Sequence, residues 1–225
     1  MSSIILFVKM VISIGFKLCS MKTTKKGIYC IEGLWDHTNI KDKSTVLPIL
    51  NLLENRGYCN FIHHSCATHE ELVFFLNKWK QKSVSNKYPI LYLAFHGQEE
   101  GIFLNSKDCY TMDELSQLLE DKCLGNVIHF GSCSTLRMDK RKIQSFLNKT
   151  GAIATIGYKE EIDWLLSTVC DLLIFEALQQ DKFDSKGIRN IERKIFNEYG
   201  NLNKILNLRM VVNEKIHFPR ERVKK

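Results

Sequence analysis

From Lys26 onward, short apolar runs alternate with longer stretches whose apolar residues recur every three or four positions. The first pattern predicts buried strands, the second amphipathic helices. "GIYCIEGLW" (27–35) reads as a first strand, and "STVLPILNLLENRG" (44–57) as a helix with Ser44 or Thr45 at its N-cap and Gly57 at its end. "YCNFIHH" (58–64) is a short second strand, and "THEELVFFLNKWKQK" (68–82) a helix opened by a Thr68/Glu71 capping box. "YPILYLAF" (88–95) is the next strand, followed by a hairpin piece, "GIFLN" (101–105), and another capped helix, "TMDELSQLLEDK" (111–122). "NVIHFGS" (126–132), "AIATIGY" (152–158) and "LRMVVN" (208–213) supply three more strands. Helices are predicted over 140–151, ended by its glycine, over 163–180, and roughly over 186–206.

Strands separated by helices of ten or more residues require crossover connections and a mostly parallel sheet, so the fold class is α/β. Helices cover both faces of such a sheet, and its central strands are near-continuous apolar runs, as 90–95 and 152–156 are. Ligand sites in these folds lie outside the carboxyl ends of the strands.

Two strand ends carry chemistry. "ILYLAFHG" delivers His96 and Gly97, and "NVIHFGSCST" delivers Cys133. A single helix lies between these strands, so a right-handed crossover makes them parallel and adjacent, about 5 Å apart. The tips can then meet, which suits a thiol nucleophile activated by an imidazole base. Gly97 and Gly131 let the backbone approach closely, and amides brought in this way suit an oxyanion hole.

The ordered set "LAFHG", "GIFL", "MDELSQLL", "HFGSCST" and "TGAIATIGY" resembles the caspase-like clan of cysteine peptidases, and within it the CHAT branch akin to separase. The similarity spans about residues 26 to 180. The caspase pentapeptide Q-A-C-[RQG]-G is absent; Gly131-Ser132-Cys133-Ser134-Thr135 stands there instead, which speaks against a true caspase. The resemblance implies a three-layer sandwich and a cysteine endopeptidase acting on protein or peptide substrates. Cys133 would be the nucleophile, His96 the base, and the N–H groups of Gly97 and Cys133 the oxyanion hole. The clan's first specificity pocket would be formed by Trp35-Asp36-His37, by Gly131-Ser132 and by Tyr158 to Trp164. Pocket candidates are therefore Asp36, Ser132, Tyr158, Glu160, Glu161 and Asp163, an acidic set that favours a basic or neutral substrate residue over aspartate. Asp163 also reads as the N-cap of the helix that follows. The clan's habit of loop ordering implies low basal activity, raised by an activating protein or ligand that orders Gln98–Gly101 and Thr135–Arg141.

Other readings compete. A catalytically silent caspase-like module that binds partners in a signalling or defence complex would share these motifs. A nucleotide-binding doubly wound domain is disfavoured, because no glycine-rich phosphate loop opens a helix after any strand. His129 reads as a packed core histidine, His63 and His64 lack partners at ligand spacing, and Cys109 and Cys123 read as packing residues. Trp164, Phe175 and the leucines between them have helical spacing and read as core. No metal and no cofactor are expected.

Composition adds bounds. A chain of 225 residues with 44% apolar and 25% charged residues is one ordinary globular domain. Its net charge of +7 comes from dispersed lysines and a basic tail at 216–225, so no specific nucleic-acid partner is expected. Eight cysteines without C-x-x-C spacing read as free thiols in a reducing, cytoplasmic setting. Residues 1–25 read as an extension, with Met21 a more natural start. Lys9 and Lys17 interrupt its apolar character, so neither a membrane span nor a signal peptide is expected. The domain is placed at 26–215.

Overall fold

The computed structural model describes residues 25–36, 38–39, 41–105 and 108–215. The N-terminal extension up to residue 24 and the basic tail lie outside the described residues. In chain order the elements are β1 (Ile28–Glu32), α1 (Leu47–Asn55), β2 (Phe61–Ser65), α2 (His69–Trp79), α3 (Lys82–Ser85) and β3 (Ile90–Ala94). Three short strands follow, β4 (His96–Gln98), β5 (Gly101–Phe103) and β6 (Cys109–Thr111), then α4 (Met112–Leu118) and β7 (Val127–Phe130). The chain continues through α5 (Lys140–Thr150), β8 (Ala154–Tyr158), α6 (Trp164–Gln179), α7 (Ser185–Glu198), α8 (Gly200–Ile205) and β9 (Leu208–Val212).

Six strands form one sheet in the order β2-β1-β3-β7-β8-β9, parallel except for the antiparallel edge strand β9. β4, β5 and β6 form a separate antiparallel sheet of three. Alternation along each central strand divides its side chains between two cores. Ile28, Cys30, Ile90, Tyr92, Ala154 and Ile156 face α1, α6 and α7, whose Leu50, Ile174, Phe175, Ile188 and Ile191 pack against them. Tyr29, Ile31, Leu91, Leu93, Ile128 and Phe130 face α2, α4 and α5 through Leu72, Leu76, Leu115, Ile143 and Leu147. The result is a helix–sheet–helix sandwich of class α/β, as the strand–helix alternation requires.

Capping chemistry fixes several helix ends. Thr68 with Glu71 and Thr111 with Glu114 form complete capping boxes. Gly151 ends α5 in the left-handed conformation (φ 78°), where a side chain would be strained. Three expectations are corrected. Val46, without a side-chain cap, takes the N-cap of α1; the Thr45 hydroxyl donates to Glu32 and accepts from the amide of Leu47, the first residue of the helix. The helix predicted over 186–206 is two helices separated at Tyr199. Trp164, Leu165 and Leu166 are exposed rather than core, because the buried residues of α6 begin only at Cys170, whereas Phe175 is buried as expected.

Among the described residues no helix is long and apolar enough to cross a membrane. Their seven cysteines are free thiols. Burial pushes the thiols of Cys59, Cys66 and Cys170 up to about 12, which leaves them protonated and inert at neutral pH.

Candidate active site

The chain leaves β1 for one edge of the large sheet and leaves β3 for the other, so strand order reverses between these neighbours. Such a switch point opens a crevice at the carboxyl ends of the strands. Trp35 lies just past β1, His96 just past β3, and Cys133 just past β7. Sheet pairing continues a residue or two beyond the strands: Gly33 N–H donates to the Ala94 carbonyl (2.8 Å) and Gly131 N–H to the Leu93 carbonyl (2.9 Å).

The two tips meet. A Cβ on Gly97 would lie 2.3 Å from the Cys133 carbonyl oxygen and 2.8 Å from Ser132 Cβ, so only glycine permits this approach. A Cβ on Gly131 would lie 2.5 Å from the Tyr92 ring. Ser134, directly after the cysteine, holds φ at 56°, an uncommon conformation for a residue with a side chain. Backbone bonds fix this turn against the next strand, from Ser134 N–H to the Glu160 carbonyl and from Leu136 N–H to the Tyr158 carbonyl.

His96 and Cys133 line a single cavity of about 130 Å³, together with Trp35, Gly131, Ile162, Trp164, Thr168 and Asp171 among others. His96 is exposed and Cys133 partly exposed, so both are reachable from solvent. His96 Nε2 donates to the Trp35 carbonyl at 2.6 Å, and the Trp35 ring meets the imidazole edge-on with centroids 5.4 Å apart. A carbonyl oxygen only accepts, so Nε2 carries the proton and, in the neutral ring, Nδ1 is the basic nitrogen.

Two buried carboxylates frame this arrangement, and the sequence reading missed both. Glu32, the last residue of β1, accepts from Trp35 Nε1 (2.6 Å), Val46 N–H (2.7 Å), Thr45 Oγ1 (2.6 Å) and His63 Nε2 (2.6 Å). Burial acts to raise its pKa, but the bonds from His63, Thr45, Trp35 and Val46 together outweigh it and hold the carboxyl below its ordinary 4.5. Asp171, on α6, accepts from the hydroxyls of Tyr92 and Tyr158, each at 2.6 Å, and from His129 Nε2 at 2.8 Å. Burial pushes both phenols well above 10, so they remain donors at neutral pH. A lone acid inside an apolar run ("IYCIE", "VCDLLIF") was the available signal, since a buried charge must be partnered.

The expected pocket residues disperse. Asp36 binds within its own turn, accepting from Thr38 and Asn39, and lines a different, larger cavity. Ser132 is buried and accepts from the Thr135 hydroxyl, and Tyr158 points inward to Asp171. Glu160 accepts from Asn207, Glu161 is exposed, and Asp163 caps α6 through Leu166 N–H (2.9 Å). None of these six lines the cavity shared by His96 and Cys133; its acidic residue is Asp171. His129 is a hydrogen-bonded core histidine, as read from the sequence, and His63 has its partner in Glu32.

A family model described as "Family of unknown function (DUF6642)" matches residues 25–212. The chain belongs to this family. The match covers every described strand and helix, and with them Trp35, His96 and Cys133. No curated protein matches the chain.

Proposed function

We propose that this DUF6642 protein is a cysteine endopeptidase of the caspase-like, CHAT type, cleaving protein substrates with Cys133 and His96. The observation that carries the reading is the shared cavity of the two side chains, combined with the Trp35 carbonyl that holds the His96 proton on Nε2. With Nε2 occupied, Nδ1 takes the proton of the Cys133 thiol. The thiolate adds to the scissile carbonyl carbon, and the resulting oxyanion is met by the N–H groups of Gly97 and Cys133. Gln98 and Gly101 close a two-residue hairpin, so the Gly97–Ile102 pair is a non-hydrogen-bonded one and the Gly97 N–H points off the free edge of β4. The Nδ1 proton then passes to the leaving amine as the C–N bond breaks, giving a thioester. Water, deprotonated by Nδ1, adds to the thioester, and collapse expels the thiol, which recovers its proton.

The test pairs peptide-library cleavage with labelling by an acyloxymethyl ketone, a probe of activated thiols. Cys133→Ala and His96→Ala should each abolish cleavage and labelling while the circular dichroism spectrum is kept. Labelling that survives in Cys133→Ala, or a wild-type chain inert to library and probe alike, overturns the peptidase reading. An inert chain that still captures a protein partner supports the silent, partner-binding module.

A further inference from the structure

Trp35 is held at two points: its carbonyl takes the His96 Nε2 proton, and its indole N–H donates to Glu32. Glu32 also grips Thr45 and Val46, so one carboxylate closes both ends of the 33–46 loop, while His63 of β2 fixes it from the far side. All four lone-pair directions of the carboxylate are used, two donors to each oxygen. Glu32 is almost wholly buried, and it cannot drift without breaking four short bonds. We propose that Glu32 is a positioning residue for His96: through Trp35 it fixes the orientation and tautomer of the imidazole. The inference rests on reading His96 as the base, but its geometric content, a carboxylate that sets a histidine tautomer two bonds away, can be measured without any substrate.

The experiment is nitrogen-15 NMR of histidine-labelled full-length chain, with the His96 signals assigned by their loss in His96→Gln. Wild type should show the Nε2–H tautomer. Glu32→Gln, and Trp35→Phe, which keeps the carbonyl but removes the indole N–H, should both show a mixture of tautomers. Asp184→Ala, which removes the N-cap of α7 far from the site, lowers stability without touching this chain of bonds and should leave the His96 tautomer as in wild type. In cleavage assays Glu32→Gln and Trp35→Phe should lose about 10–100-fold in kcat with little change in KM, the cost of a misplaced base. A folded Glu32→Gln with an unchanged tautomer and kcat overturns the proposal; if that variant does not fold, Trp35→Phe decides alone. Should the wild type cleave nothing, the peptidase reading fails, and the tautomer comparison still decides the role of Glu32.

Discussion

Gly97 marks the tightest contact between the two tips, and its substitution separates packing from chemistry. Gly97→Ala drives a methyl group into the Cys133 carbonyl and the Thr135 hydroxyl, so the 132–135 turn must shift. Overpacking of this kind costs about 1–3 kcal/mol. Cleavage should fall much further than stability, because the displaced atoms are those of the proposed nucleophile and oxyanion donors; urea unfolding and library cleavage measured on one preparation check this. Glu32 supplies a pH signature. Its folded carboxyl titrates below its ordinary 4.5, so its stabilisation is complete above that value and is lost as pH falls through the lower, folded value. Glu32→Gln should be less stable than wild type by about 1–3 kcal/mol at pH 7. That gap should narrow below pH 4.5. Urea midpoints from pH 7 to pH 3 that run parallel for the two proteins would remove Glu32 as the source. The meeting of the His96 and Cys133 tips was legible in the sequence because each residue follows an apolar strand with a glycine within two positions, Gly97 and Gly131. Glu32 and Asp171 were not, since His63 reaches Glu32, and Tyr92 and His129 reach Asp171, from strands distant in the sequence.

Elements were most legible where local chemistry decides them. The capping boxes of α2 and α4 and the left-handed Gly151 need nothing beyond four or five consecutive residues. Three-residue strands such as β4 and β6 were illegible as strands: their sequences, "HGQ" and "CYT", carry no apolar alternation, and pairing alone makes them a sheet. The segment Thr135–Arg141 depends on distant chemistry: Arg209 donates to the carbonyls of Leu136 (3.1 Å) and Met138 (2.6 Å), and Asp139 caps α5. Distant β9 supplies that arginine, which no local pattern announces. For α6 the expectation of a capping aspartate holds. Asp163→Ala should cost about 1 kcal/mol by thermal melting, and the cleavage preference of the variant should equal that of wild type. A changed preference would return Asp163 to the pocket.

At the scale of the whole molecule, the fold gathers β1, β3, β7 and α6 around one small cavity, and its chemistry predicts what enters. About 130 Å³ admits a single side chain, with Trp35 and Trp164 among the lining residues and Asp171 as the acidic one. Asp171 is tied to His129, Tyr92 and Tyr158, so it is fixed in place rather than free to swing toward solvent. A substrate aspartate beside it would meet like charge as the substrate displaces water, at a cost of several kcal/mol. A neutral or basic side chain meets no such repulsion. A positional scanning library should therefore show cleavage after basic or neutral residues and rejection of aspartate. Asp171→Asn should relax that rejection, and it should also destabilise the chain by about 1–3 kcal/mol, because the Tyr92 and Tyr158 hydroxyls and His129 Nε2 all donate to the carboxylate. If the variant is too unstable to assay, Tyr158→Phe removes one hydroxyl from Asp171 while the carboxylate and the rejection of aspartate both remain. Cleavage after aspartate by the wild type would show that the substrate side chain enters elsewhere.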